Sequence, residues 1–142
     1  MWTFFYGSYM NASVLADAGL QSGTLEVARL DGFDITIGPL ANLVESEGAS
    51  VYGVIARATH EELSGLYAHA RDVLGGTYLP EAVSVQTMDG KWRPALCYIA
   101  EPMEPRAADA AYVERILQPA RALGFPTWYI RKLEAFSGTA SG

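Results

Sequence analysis

The pair Asp-Gly occurs twice in this chain, at Asp31-Gly32 and at Asp89-Gly90, each time between two runs in which apolar residues alternate. "TLEVARL" precedes the first pair and "FDITIG" follows it; "EAVSVQTM" and "KWRPALCYIA" flank the second. Period-2 alternation is the signature of a half-buried strand, and Asp-Gly supplies the positive φ that a two-residue turn requires. Each pattern therefore predicts a β-hairpin, which commits much of the chain to antiparallel sheet. Further strands are expected at residues 2–6, which are mostly aromatic, at 41–44, and in "VYGVIARA", where Gly53 marks a bulge or a close backbone approach.

Helical signals fall between and after these runs. Thr59 and Glu62 in "THEE" form a capping box, and Leu63, Leu66, Tyr67, Ala70 and Leu74 then share one face. Asn11 can cap a short helix through "ASVLADAGL". A longer helix is expected over 107–123, where Pro119 should kink or interrupt it, and a short final one in "TWYIRKLEAF". The expected fold is α+β: a curled mixed or antiparallel sheet, or a small barrel, of six or seven strands with three or four flanking helices. Residues 1–136 read as one domain and residues 137–142, small and polar, as a flexible tail. No alternating βαβα pattern and no Gly-rich dinucleotide or phosphate loop is present.

Composition narrows the function. A net charge of −6 disfavours nucleic acid and anionic membrane as partners. No apolar stretch approaches the roughly 20 residues needed to span a bilayer, and the N-terminus lacks the features of a signal peptide. Cys97 is the single cysteine, and its apolar strand context marks it as a buried filler; together these features predict a cytoplasmic protein. His60 and His69 make no metal site with that lone thiol, so no cofactor is expected.

Five stretches occur in a distinctive order: "FFYGSYMN", "VYGVIARAT", "GGTYLPEAV", "DGKWRPALCYI" and "GFPTWYIRKLEAF". Together they resemble the gamma-glutamylcyclotransferase-like superfamily, which includes the AIG2-like proteins, over residues 3–136. The resemblance implies a small-molecule partner carrying a carboxylate. It also implies a chemistry, in which a gamma-glutamyl amine or peptide attacks its own gamma-carbonyl and releases 5-oxoproline and an amine. Such a site needs backbone donors for a carboxylate or oxyanion, a folded substrate, and a carboxylate to carry the proton. The resemblance assigns the donors to Tyr6, Gly7 and Ser8, with Tyr9 and Met10 continuing the loop.

The proton carrier is the weak point. Counting forward from Leu66, the position of the family's glutamate falls on Ala70; counting back from Tyr78, it falls on Arg71 or Asp72. Two carboxylates are candidates to replace it. Asp72 points away from the apolar face unless the helix ends early, and Glu81 faces the interior only if its strand does. Tyr129, in "GFPTWYI", matches a family tyrosine near the site and Tyr78 is a weaker candidate; a core aromatic is the competing reading. Three functions stay open: a cyclotransferase, a different small-molecule enzyme on the same fold, and a catalytically silent binding domain. Aromatic strands could support a dimer, but the sequence leaves the oligomeric state undecided.

Overall fold

The computed structural model describes residues 2–17, 19–20, 25–101 and 106–137. The last five residues of the expected tail, 138–142, lie outside the described residues. Five strands form a closed barrel: β1 (Trp2–Phe5), β2 (Glu26–Ile37), β3 (Ala41–Arg57), β4 (Tyr78–Thr87) and β5 (Trp92–Ala100). Their order around the barrel is β1-β3-β2-β4-β5, and all neighbours run antiparallel except β1 and β5, which pair parallel at Thr3–Leu96 and Phe4–Cys97.

The α+β class stands, but the strand number is five rather than six or seven. Two expected pairs of strands are single long ones. Asp31-Gly32 lies inside β2 and is not a hairpin turn: Asp31 pairs with Ser50 and Phe33 with Glu45, so residues 46–49 bulge from β3 opposite Gly32. Gly32 and Gly48 both take positive φ, +87° and +83°. A glycine in that conformation serves a bulge as readily as a turn, so the local signal alone does not separate them. The actual β2–β3 turn is at 38–40, through a cis Gly38-Pro39 bond. The second Asp-Gly does turn a hairpin: β4 and β5 pair from Tyr78–Ala100 to Gln86–Trp92.

Four α-helices cover the barrel: α1 (Ala12–Asp17), α2 (His60–His69), α3 (Ala110–Ala122) and α4 (Thr127–Ala135). The Asn11 side chain accepts the Ser13 N–H at 2.8 Å at the start of α1. The Thr59–Glu62 capping box is formed in both directions, at 2.9 and 3.1 Å. Pro119 does not interrupt α3, which runs through it with Ile116, Leu117, Pro119 and Ala120 all buried. Burial of that continuous face offsets the hydrogen bond that proline withholds.

Phe4, Phe5, Ile55, Leu66, Ile116 and Leu133 are among the fully buried side chains that bind barrel to helices. Gly53 is a close approach and not a bulge: a Cβ there would sit 2.3 Å from the Phe5 carbonyl oxygen. Asn42, also buried, closes the barrel end by donating to the Ala100 carbonyl and accepting the Ala100 N–H, both at 2.9 Å.

Candidate functional site

The chain leaves β1 at Phe5, passes Tyr6 and Gly7, and enters a short 3-10 turn at Ser8–Met10. A pocket of about 380 Å³, counted to its mouth, opens beside that turn. Its wall brings together Tyr6, Gly7, Ser8, Tyr9 and Tyr78, five of the residues singled out from the sequence, with Ala70 and Tyr67 from α2 and the residues after it. Phe5, Ala41, Tyr98 and Tyr112 complete the lining.

Gly7 lies tight against the wall, since a Cβ on it would meet the Ala41 Cβ at 3.2 Å. Ser8 and Tyr9 begin the 3-10 turn, so their N–H groups have no acceptor within it. The turn is held from both sides by hydroxyls. Tyr9 donates to the Leu66 carbonyl at 2.9 Å, tying the loop to α2. Tyr112 accepts the Ala41 N–H at 3.0 Å, and the Ser8 side chain lies beside its hydroxyl. Tyr6 donates to the Tyr98 carbonyl at 2.7 Å, and Tyr78 donates to the Ala41 carbonyl. Tyr67 and Tyr98 stack with ring centroids 3.7 Å apart, and their hydroxyls bond no other described residue.

Six tyrosines therefore surround a pocket whose lining, among the described residues, carries no carboxylate, imidazole or amine. Burial raises the phenols of Tyr6, Tyr67 and Tyr78 well above their ordinary value, and that of Tyr9 to about 12. At neutral pH they are donors and acceptors of hydrogen bonds, and none is a base.

The two candidate carboxylates lie elsewhere. After α2 the chain makes one wide π turn over Ala70–Leu74, ended by Gly75 in the left-handed conformation. Ala70 is 1% exposed and lines the pocket, whereas Asp72 is exposed and paired with Arg71 at 3.2 Å. Glu81 is exposed on β4 opposite Cys97, and lines no part of the pocket. Cys97 is buried as expected; burial first, and the Glu81 charge second, push its thiol up to about 12. Met10 is buried behind the turn and does not reach the lining.

Tyr129 is fully buried in a separate aromatic cluster with Tyr52, Phe125 and Trp128, at centroid distances of 5.3, 5.9 and 5.6 Å. Its hydroxyl lies near the Tyr52 backbone, short of a regular hydrogen bond. Tyr67, Tyr98 and Tyr112 were not legible as pocket residues. Each falls at a spacing that equally predicts a core aromatic, and only the closure of the barrel turns them toward one cavity.

A closed five-stranded mixed barrel with this turn at the end of β1 is the gamma-glutamylcyclotransferase-like architecture: a solved gamma-glutamyl cyclotransferase superimposes with a TM-score of 0.83, at 26% identity over 94% of this chain and 86% of that one. The chain belongs to the AIG2-like family, whose model matches residues 50–133, more than half of its length. It is also similar to the gamma-glutamylcyclotransferase of Bos taurus, 27% identical over 93% of this chain and 76% of the bovine one. An uncharacterized human protein of known structure gives a TM-score of 0.82 at 25% identity, covering 94% of this chain and 86% of the human one. Among the described residues no helix is long and apolar enough to cross a membrane, and no group of three or more His, Cys, Asp or Glu could hold a metal ion.

Proposed function

We propose that this chain binds a gamma-glutamyl amine, or a related small amide with a free carboxylate, in the pocket beside Gly7 and Ser8, and lacks the base that would cyclise it to 5-oxoproline. One observation carries the proposal. Ala70, the position of the proton-carrying glutamate in the register counted from Leu66, is buried in the pocket wall, and no lining residue among those described is acidic.

Cyclisation requires a group that takes the proton of the attacking amine and returns it to the leaving nitrogen. Tyrosines held neutral by burial do not supply it. What supports binding is the pair of N–H groups at the start of the 3-10 turn and the Tyr67 and Tyr98 phenols, which have no hydrogen-bond partner among the described residues. The cyclotransferase activity that names the bovine relative would have to use Asp72 or Glu81 from outside the pocket.

The test is a panel of gamma-glutamyl amino acids and amines, read in two ways. Thermal denaturation should show stabilisation by at least one member, which reports binding to the folded state. The same mixtures should release no 5-oxoproline above the uncatalysed rate. Enzymatic release of 5-oxoproline by the wild-type chain, lost in D72N or E81Q, would replace this reading with the cyclotransferase one.

A further inference from the structure

The ten lysines and arginines of this acidic chain are unevenly committed. Arg29, Arg71, Lys91, Arg121 and Lys132 each form an ion pair with a described carboxylate. Arg57 and Arg93 lie over the Trp2 ring, at 4.8 and 5.8 Å from its centroid. Among the described residues, Arg106, Arg115 and Arg131 have neither kind of partner. Two of these three line the same groove.

That groove, about 740 Å³ counted to its mouth, is walled by Pro39, Leu40, Arg106, Asp109, Tyr112 and Arg115, with Ala107 between. It is contiguous with the tyrosine pocket in two respects. Tyr112 lines both, and the chain passes from Pro39 and Leu40 in the groove to Ala41 in the pocket. Asp109 is the single acid lining the groove among the described residues, and at the start of α3 its carboxylate accepts the Ala111 N–H at 3.0 Å. The backbone of Arg106 is fixed against the β2–β3 turn, because a Cβ on Gly38 would meet the Arg106 carbonyl oxygen at 2.8 Å. The Arg115 charge is felt at the Tyr112 hydroxyl, whose pKa burial raises and Arg115 lowers.

We infer that Arg106 and Arg115 form an anion-binding arm of the ligand site, which takes a carboxylate or phosphate on the half of the ligand that lies across Tyr112 from the Gly7–Ser8 turn. The inference rests on the pocket being a ligand site, and it names the class of ligand: a gamma-glutamyl compound whose amine half is itself anionic. Two guanidinium groups with no acceptor among the described residues, on a chain whose net charge is −6, are a local reversal of field that suits an acidic group. A ligand with a neutral amine half would leave both unpaired.

Calorimetric titration of the intact chain at low ionic strength would compare gamma-glutamylglycine, whose amine half carries a carboxylate, with gamma-glutamylglycinamide, whose amine half is neutral. The wild type should bind the acidic dipeptide about tenfold more tightly, a difference of about 1.4 kcal/mol. The preference should shrink with added salt. Both arginines are exposed, so R106Q/R115Q should keep the fold and bind the two dipeptides equally, and R115Q alone should lose part of the preference. Equal affinity of the wild type for both dipeptides would overturn the arginine arm while leaving the pocket reading standing. If neither dipeptide bound but inorganic phosphate raised the melting temperature of the wild type and not of the double variant, the arm would stand and the pocket reading would fail. Binding of none of the three probes would overturn both.

Discussion

Ala70→Glu is the substitution that separates a pocket lacking only its base from one that is wrong for the reaction altogether. Ala70 is 1% exposed and lines the cavity, which gives the added carboxymethyl arm a space to enter. The main cost is desolvation of a carboxylate among tyrosines with no cation in the lining, which raises its pKa. Each unit of that rise is worth about 1.4 kcal/mol, so a destabilisation of about 1–3 kcal/mol at neutral pH is expected. The sign follows from the direction of the shift. An acid with a raised folded pKa costs stability above that pKa, and the cost disappears as pH falls below the unfolded value, so A70E should recover toward wild-type stability on acidification. A correctly placed general acid/base contributes about 10²–10⁴-fold in rate. Release of 5-oxoproline from the dipeptide that binds best should therefore rise by about that factor over wild type. Activity should increase with pH through a midpoint above the usual carboxylate range, because the ionised form takes the amine proton. A70Q, with the same shape and no base, is the control. If A70E is folded, binds ligand and releases no more product than A70Q, then position 70 does not face the reacting centre and the reasoning fails.

D72N and E81Q should leave ligand-induced stabilisation unchanged, since neither side chain lines the pocket; a shift lost in either variant would place that carboxylate at the ligand. G53A should lower stability by about 3 kcal/mol or more, because its Cβ would lie 2.3 Å from a backbone oxygen and 2.8 Å from the Phe4 ring; urea denaturation reads this directly, and a loss below about 1 kcal/mol would contradict it. N42L should cost about 2–4 kcal/mol by leaving the Ala100 N–H and carbonyl buried without partners, and N42D should not restore full stability because it offers no N–H donor. At alkaline pH the unfolded chain ionises its thiol and phenols before the folded one does. With Cys97 and Tyr9 both raised to about 12, stability should fall from about pH 9 upward, and ultraviolet titration should show pocket phenolate appearing only with unfolding.

The legible and illegible parts of this chain divide along a physical line. Signals that act within a few residues were read correctly where one local conformation satisfies them: the Thr59–Glu62 capping box, the Asn11 cap, and the Asp89-Gly90 turn are all formed. Asp31-Gly32 carries the same local signal as Asp89-Gly90 and has a different outcome, because the partner of its strand is decided by β3, seventeen residues long and bulged opposite it. Pro119 is the same lesson in a helix, where burial of one face outweighs a local penalty. The site divides in the same way. The turn that holds Gly7 and Ser8 is local, and the resemblance built on it leads to the pocket the barrel forms. The far wall is not local. Tyr67, Tyr98 and Tyr112 come from a helix, a strand and another helix, and look in sequence like any other buried aromatics.

Ala70 joins the two halves, and it shows why an absence can be more informative than a motif. Its side chain has the period of the apolar face of α2, so by itself it reads as one more core residue. It acquires meaning only once the Gly7–Ser8 turn fixes where a ligand would lie and the barrel shows that Ala70 faces the same space. A glutamate here would be a buried charge among phenols, destabilising unless it were used. Alanine removes that strain and leaves the cavity. Under the proposed function, alanine at this position withdraws the base, while the turn and hydroxyls that would hold a ligand remain in place. On this reading, binding and proton transfer fall to separate elements of the barrel, the Gly7–Ser8 turn and position 70, which is why A70E tests the second without altering the first.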